Sequence, residues 1–426
     1  MVHTIGEKIK DAINKLLNTG FFHVFGSNVI NKVLGFISSV FIVRLISKAD
    51  YGVYTTALNH LSFFLLLSGM GMVSAVLQLC SENAKNRNKN LEIYEYGSSI
   101  GIKFNLLLGV AILIFTFFSN SNIEGANKIL SWLAFIPFFE GINEFQKIYF
   151  RSNLDNRSYA FSNSMGAFLV VVCSVSGAFI SGVKGLIAGR YVAAILIAII
   201  TKICLKGPVK FKTSPTKNIE KKVLYKISMI SMANNGISEL LYLFDILIIG
   251  EVMGSSTAVA DYKIAIIIPT ALIFIPASVC IYIYPYFSMN KDNGEWVKRN
   301  FDLLIIVMGI INVVISITLI IFAPFIIELV FGKQYLSAVS MFRISALNYF
   351  FSGTFRIITG NLLVTQRKLK FNFYASIIAG LVNLVSNYVF INIMGPIGAA
   401  WTTLGISFFS GIIYTFYFYK VIKKIK

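Results

Sequence analysis

Long apolar stretches, each close to the ~20 residues needed to cross a bilayer as a helix, alternate with short polar connections along nearly the whole chain. The pattern predicts twelve transmembrane helices at roughly 24–45, 53–80, 98–118, 129–149, 160–181, 186–205, 226–250, 262–287, 301–322, 338–365, 372–394 and 398–419. The connections at 181–186 and 394–398 are short and glycine-rich, so each predicts a tight helical hairpin of two antiparallel neighbours. Ahead of the first span, Ile5, Ile9, Ala12, Ile13, Leu16 and Leu17 recur at helical spacing, with Glu7, Lys8, Lys10, Asp11 and Lys15 on the other face. This is the pattern of an amphipathic helix lying in a membrane interface. A small-residue cleavage site after an apolar core is absent there, which argues against a signal peptide.

Composition strengthens the membrane reading. Hydrophobic residues make up 56% of the 426 positions and charged residues only 13%, about half the charged share of a soluble chain. The net charge of +19 suggests nucleic acid until the cations are placed. Of the lysines and arginines, 27 fall in the termini and loops of one side, 7 are assigned to the other, and four lie inside or at the ends of spans. By the positive-inside rule this puts both termini in the cytoplasm of a multi-pass inner-membrane protein. It also accounts for the basic balance without nucleic acid. Cys80, Cys173, Cys204 and Cys280 form no CxxC pair, and His3, His23 and His60 have no ligand spacing, so no metal or cofactor is expected.

The connection from Lys202 to Lys226 is the longest and most basic and divides the spans into six and six. The halves look like a repeat. Ala49, Asp50 and Tyr51 recur as Ala260, Asp261 and Tyr262, and the hairpin from Gly182 to Ala188 recurs as Gly395 to Ala400. The expected organisation is an N-terminal six-helix lobe with its amphipathic helix (1–205), a basic linker (206–225) and a C-terminal six-helix lobe (226–426). Six spans per unit give parallel repeats, the arrangement that encloses the central cavity of an alternating-access transporter.

Two further runs carry a family resemblance. Asp50, Tyr51, Gly52, Val53 and Tyr54, after a first helix ending in Arg44, and Phe331, Gly332, Lys333, Gln334 and Tyr335, after the ninth span, resemble the polysaccharide-flippase (Wzx-type) branch of the multidrug/oligosaccharidyl-lipid/polysaccharide exporter superfamily. The segments Asp245–Tyr262 and Gly395–Ala400 resemble the same group. The resemblance implies an all-α membrane fold of about twelve helices, in two six-helix lobes around a cavity. It implies translocation of undecaprenyl-diphosphate-linked oligosaccharide for O-antigen or capsule assembly, alongside a polysaccharide polymerase and related assembly proteins. The competing reading on the same fold is a cation-coupled multidrug or small-molecule exporter, and a third is a non-transporting scaffold. No GxxxxGK[ST] loop is present, so ATP hydrolysis is not expected, and flipping needs no catalytic nucleophile.

Charges at membrane depth cost roughly 2.5 to 3.5 kcal/mol each on insertion scales and therefore mark cavities or partners. Lys32 in the first span, Arg343 and Arg356 in the tenth and Lys103 in the third are the candidate diphosphate ligands, because cations, and guanidinium in particular, match phosphate oxygens. The competing role is snorkelling or structural pairing. Asn28 shares a helix face with Lys32, as Asn235 does with Glu239 in the seventh span, so both asparagines are cavity candidates. Glu239 and Asp245 are candidates for a coupling proton or cation. Pro269 and Pro276, seven residues apart in the eighth span, are candidate hinges. Gly69 and Gly71 permit close packing or bending of the second.

Overall fold

The computed structural model describes residues 21–83, 86–205 and 221–425. The expected amphipathic helix over 1–20, and residues 206–220 of the expected linker, lie outside the described residues. Helix dominates, and there is no strand among the described residues. Eight helical stretches of the described residues are long and apolar enough to cross a bilayer. Twelve crossings remains the finer expectation.

The chain divides into two compact units. The first takes Met1–Ser47, Ala57–Ser121 and Gly125–Leu240; the second takes Lys48–Thr56, Asn122–Glu124 and Leu241–Lys426. In the first unit, α1 (Phe21–Leu45) packs along α7 (Asn156–Cys204). Where a single second span was expected, α2 (Lys48–Leu65) and α3 (Met72–Glu82) are separated by a short 3-10 turn, Ser68–Gly71. The break has a local cause: Gly69, Met70 and Gly71 all hold left-handed backbone, with φ of 58°, 50° and 71°, which no α-helix accommodates. Water cannot satisfy backbone groups freed inside a bilayer. Asn105 of α4 (Arg87–Phe118) does so here: its Oδ1 accepts from the Gly69 N–H at 2.6 Å and from the Ser68 hydroxyl at 3.2 Å. Its Nδ2 donates at 2.9 Å to the carbonyl of Pro137. That proline opens α6 (Ile136–Ser152), which a short bend separates from α5 (Ala126–Leu133) within the expected fourth span.

The expected hairpins are present and alike. Within α7, Gly182 has φ 57° and ψ −137°; between α15 (Leu369–Met394) and α16 (Pro396–Ile422), Gly395 has φ 67° and ψ −151°. That region of backbone space is essentially glycine's alone. In both hairpins a second glycine three residues on lets the arms touch. A Cβ on Gly185 would lie 1.9 Å from the Gly177 carbonyl oxygen, and one on Gly398 would lie 2.2 Å from that of Phe390. The spacing back to the contacted carbonyl is the same in each, so the sequence repeat is also a repeat of backbone geometry.

In the second unit, α8 (Lys221–Met253) enters from the first. It is followed by α9 (Ser256–Leu272), α10 (Phe274–Met289), α11 (Gly294–Ile321), α12 (Ala323–Phe331), α13 (Val339–Phe351) and α14 (Ile357–Thr365). A buried cluster that includes Cys280, Phe301, Met308, Leu362 and Phe418 holds α10, α11, α14 and α16 together. The expected eighth span is interrupted at Ile273, between the buried Pro269 and Pro276. Each proline removes an N–H from the helical ladder. The expected tenth span contains a π-helical turn over Ser352–Arg356. Beside it, Asn312 of α11, fully buried, donates to Thr354 Oγ1 at 3.1 Å and accepts from the Tyr349 hydroxyl at 2.8 Å.

Candidate functional site

A half-buried acid without a counterion among the described residues lies in the second unit. Asp245 projects from α8 among neutral donors on three other helices. Tyr262 of α9 donates its hydroxyl to Oδ2 at 2.6 Å, and Thr403 of α16 donates to the same oxygen at 3.0 Å. Asn387 of α15 donates to Oδ1 at 2.6 Å and to Asn383 Oδ1 at 3.0 Å. Among the described residues no cation pairs with Asp245. A carboxylate inside a helical membrane protein with only neutral partners is costly. Taking up a proton or a cation removes that cost.

A second cluster joins the runs that carried the family resemblance. Lys48, which opens α2, places its ammonium 2.7 Å from Asp261 Oδ1. It also donates to Ser337 Oγ at 2.8 Å and to the Gln334 carbonyl at 3.2 Å. Ser337 in turn donates to Asp261 Oδ2 at 2.9 Å. The Tyr51 and Tyr335 rings meet edge to face at 6.5 Å, and the ammonium lies 5.6 Å from the Tyr335 ring centre. Gly52 is needed for the approach: a Cβ there would lie 1.8 Å from the Ser256 carbonyl oxygen. The Asp-Tyr-Gly and Phe-Gly-Lys-Gln-Tyr runs, far apart in sequence, are thus one structure.

The first unit contains a cavity of about 270 Å³ reached by Asn31 of α1, Asn143 of α6 and Ser162 and Asn163 of α7. Its charges are balanced. Arg190 donates to Glu140 at 2.9 Å, and Lys147 lies 2.5 Å from Glu144. Asn163 donates to Asn28 Oδ1 at 3.2 Å. Amides and neutralised pairs inside an otherwise apolar wall suit hydroxyl-rich groups better than a bare anion.

The candidate residues divide between the two units. Lys32 and Lys103 are exposed on α1 and α4. Arg343 is exposed on α13 and donates through Nε to the carbonyl of Ile320 at 3.2 Å, an interaction suited to the negative end of α11. Arg356 is half-buried and closes the π-helical turn; such turns recur at functional sites. Asn235 and Glu239 fall within α8, and their side chains lie outside the described residues. Sequence reading did not single out Asn105, Arg190, Asn383, Asn387 or Thr403. Arg190 was counted with the loop cations although it lies within a predicted span, and its pairing with Glu140 required the packing of α6 on α7.

The family model described as "Polysaccharide biosynthesis protein" matches residues 41–340. The chain belongs to this family. No curated protein matches it. Among solved structures, this polysaccharide biosynthesis family member is similar to an inward-facing multidrug resistance MATE family transporter of the MOP superfamily. The two share 14% identity and a TM-score of 0.70, over 93% of this chain and 95% of that one. It is equally similar to the lipid II flippase MurJ in an inward closed conformation, at 16% identity and a TM-score of 0.70 over 94% and 89% of the two chains. A MOP superfamily transporter from Pyrococcus furiosus matches at 13% identity and a TM-score of 0.57, over 96% and 94%. These likenesses establish the fold, and with the family match they agree with the resemblance carried by the sequence motifs. The protein is a multi-pass membrane protein with a flippase and exporter fold.

Proposed function

We propose that this protein flips undecaprenyl-diphosphate-linked oligosaccharide repeat units across the bacterial inner membrane for assembly of a surface polysaccharide, O-antigen or capsule. The observation that carries this reading is the match of residues 41–340 to a polysaccharide biosynthesis family. The fold alone does not choose, since a multidrug transporter and a lipid II flippase are matched equally well, and fold does not set function. The amide-lined, charge-balanced cavity of the first unit supports a sugar-bearing substrate. No covalent bond is made or broken; the reading is transport, not enzymology. Binding or release of a proton or cation at Asp245 drives the cycle, and Lys32 and Arg356 meet the diphosphate as the headgroup crosses.

In proteoliposomes carrying lipid-linked oligosaccharide in one leaflet, the protein should expose the sugar to an impermeant lectin in the other. Asp245→Asn should abolish stimulation by an ion gradient, and Lys32→Ala and Arg356→Ala should slow transport without loss of protein from the membrane. Deleting the gene should abolish the surface polysaccharide while leaving drug susceptibility unchanged. Normal polysaccharide with drug hypersensitivity would replace the flippase by the exporter.

A further inference from the structure

Away from these sites, the second unit carries a strongly basic pocket. It has a volume of about 370 Å³ and is walled by Lys291, Arg367, Lys368, Lys420 and Lys424, with Asp292 as its one acid. The positive-inside rule explains why cations lie at this end but not why five of them, from three separate chain segments, surround one hollow. Two further features mark it as built for an anion. Gln366 lines the pocket and is 8% exposed, yet its side-chain amide nitrogen, a donor, has no partner. Arg367 holds left-handed backbone at φ 58°, a conformation that favours glycine and is kept by other residues where surrounding structure requires it. The pocket is firmly floored. The buried side chains of Val421 and Ile422 belong to the core cluster beneath, and Gly294 lies so close to the Ile425 carbonyl oxygen that a Cβ would meet it at 2.6 Å.

The pocket adjoins an apolar groove. Tyr417 lines the pocket, and the Tyr417 ring stacks on Phe371 with centroids 3.8 Å apart and planes 8° apart. Phe371 lines an apolar groove of about 700 Å³ between α15 and α16, which continues past Ile378, Trp401 and Phe409 to Met394. At 1.5 Å per helical residue the groove runs about 35 Å along α15, close to the ~30 Å hydrocarbon thickness of a bilayer. A phospholipid chain occupies only one leaflet. Gly405 lies within the groove, and a Cβ there meets nothing within 4 Å.

We propose that this paired feature is the docking site of a polyprenyl diphosphate. The diphosphate is held by Arg367, Lys368, Lys420 and the Gln366 amide, and the isoprenoid chain lies in the α15–α16 groove. The inference rests on the flippase reading and names where its lipid anchor is held. A diphosphate carries more charge than a simple phospholipid headgroup, which suits five cations against one acid, and only a long isoprenoid fills a groove of that length. Basic pockets of this kind at membrane surfaces are established headgroup sites.

Native mass spectrometry of the full chain in detergent tests it, with undecaprenyl diphosphate and phosphatidylglycerol as separate probes. Arg367→Gly removes the guanidinium while placing glycine where the backbone favours it, so folding is not compromised. Gly405→Leu fills the groove with a better helix former. Arg367→Gly should weaken undecaprenyl diphosphate binding about tenfold or more, the loss expected for one charge-assisted contact; Gly405→Leu should weaken it by occupying the groove; and both should leave phosphatidylglycerol adducts unchanged. If either variant binds undecaprenyl diphosphate like the wild type, or if phosphatidylglycerol binds as tightly and displaces it, the assignment is overturned. Because the probe carries no sugar, that outcome is distinct from failure of oligosaccharide flipping in proteoliposomes.

Discussion

Replacing Lys48 by methionine keeps most of the side chain's apolar stem and removes its charge. Asp261 then loses its counterion at 2.7 Å and retains only the Ser337 hydroxyl at 2.9 Å. The two side chains are 19% and 12% exposed, so water replaces little of what is lost. Breaking a fully buried pair by removing one partner costs about 3 to 5 kcal/mol; the residual exposure here lowers the expectation to about 2 to 3 kcal/mol. The Ser337 and Gln334 contacts of the ammonium are lost with it. At about 2 to 4 °C per kcal/mol for a unit of this size, Lys48→Met should lower the apparent melting temperature in detergent by about 5 to 10 °C at a fixed scan rate. Asp261→Asn keeps an acceptor for Ser337 but leaves the ammonium without its carboxylate. The double variant should therefore cost less than the sum of the singles by about 1 to 3 kcal/mol. A Lys48→Met protein melting within 1 °C of wild type, or strictly additive variants, would refute the view that this ion pair holds the start of α2 in the second unit.

Other perturbations read other parts of the fold. Gly398→Leu, whose Cβ would overlap the Phe390 carbonyl, should prevent normal accumulation in the membrane. Gly35→Ala, with nothing near its Cβ, should accumulate like wild type on immunoblots of membrane fractions. Asn105→Ala leaves the Gly69 N–H without its acceptor and should cost about 1 to 3 kcal/mol, measured as a lower apparent melting temperature in detergent; an unchanged melting temperature would show that the turn does not need this acceptor. Reporter fusions at Lys89 and Lys368 should report cytoplasm and those at Asn122 and Gly395 periplasm; inversion at two of these sites would reverse the orientation drawn from the lysine distribution.

The helices and the two hairpins were legible because apolar length and glycine placement are local properties of the chain. The Asp-Tyr and Phe-Gly-Lys-Gln-Tyr runs were visible as motifs, but their meeting through Lys48 was not, since nothing local in sequence pairs residue 48 with 261 or 337. Asp245 stood out as an acid in a span. Its partners did not, because Asn383, Asn387 and Thr403 read singly as ordinary polar positions in membrane helices. The break at Ser68–Gly71 was hinted at by two glycines, whereas the left-handed Met70 between them and the acceptor that Asn105 of α4 supplies to the Gly69 N–H were not. The basic pocket was hidden for the opposite reason: its cations had already been counted as evidence of sidedness.

The glycine-turned hairpins at Gly182 and Gly395 also bear on how such a protein is made and how it changes over time. A hairpin closed by so few residues, with arms in backbone contact, is a natural packet for co-translational insertion, because neither arm can seat itself without presenting the other. It adds two crossings, so gaining or losing one leaves the sidedness of everything downstream untouched. Fusion of two copies of a six-span ancestor, each ending in such a packet, would produce a chain whose second copy is already correctly oriented at birth, needing no rearrangement of its charged loops.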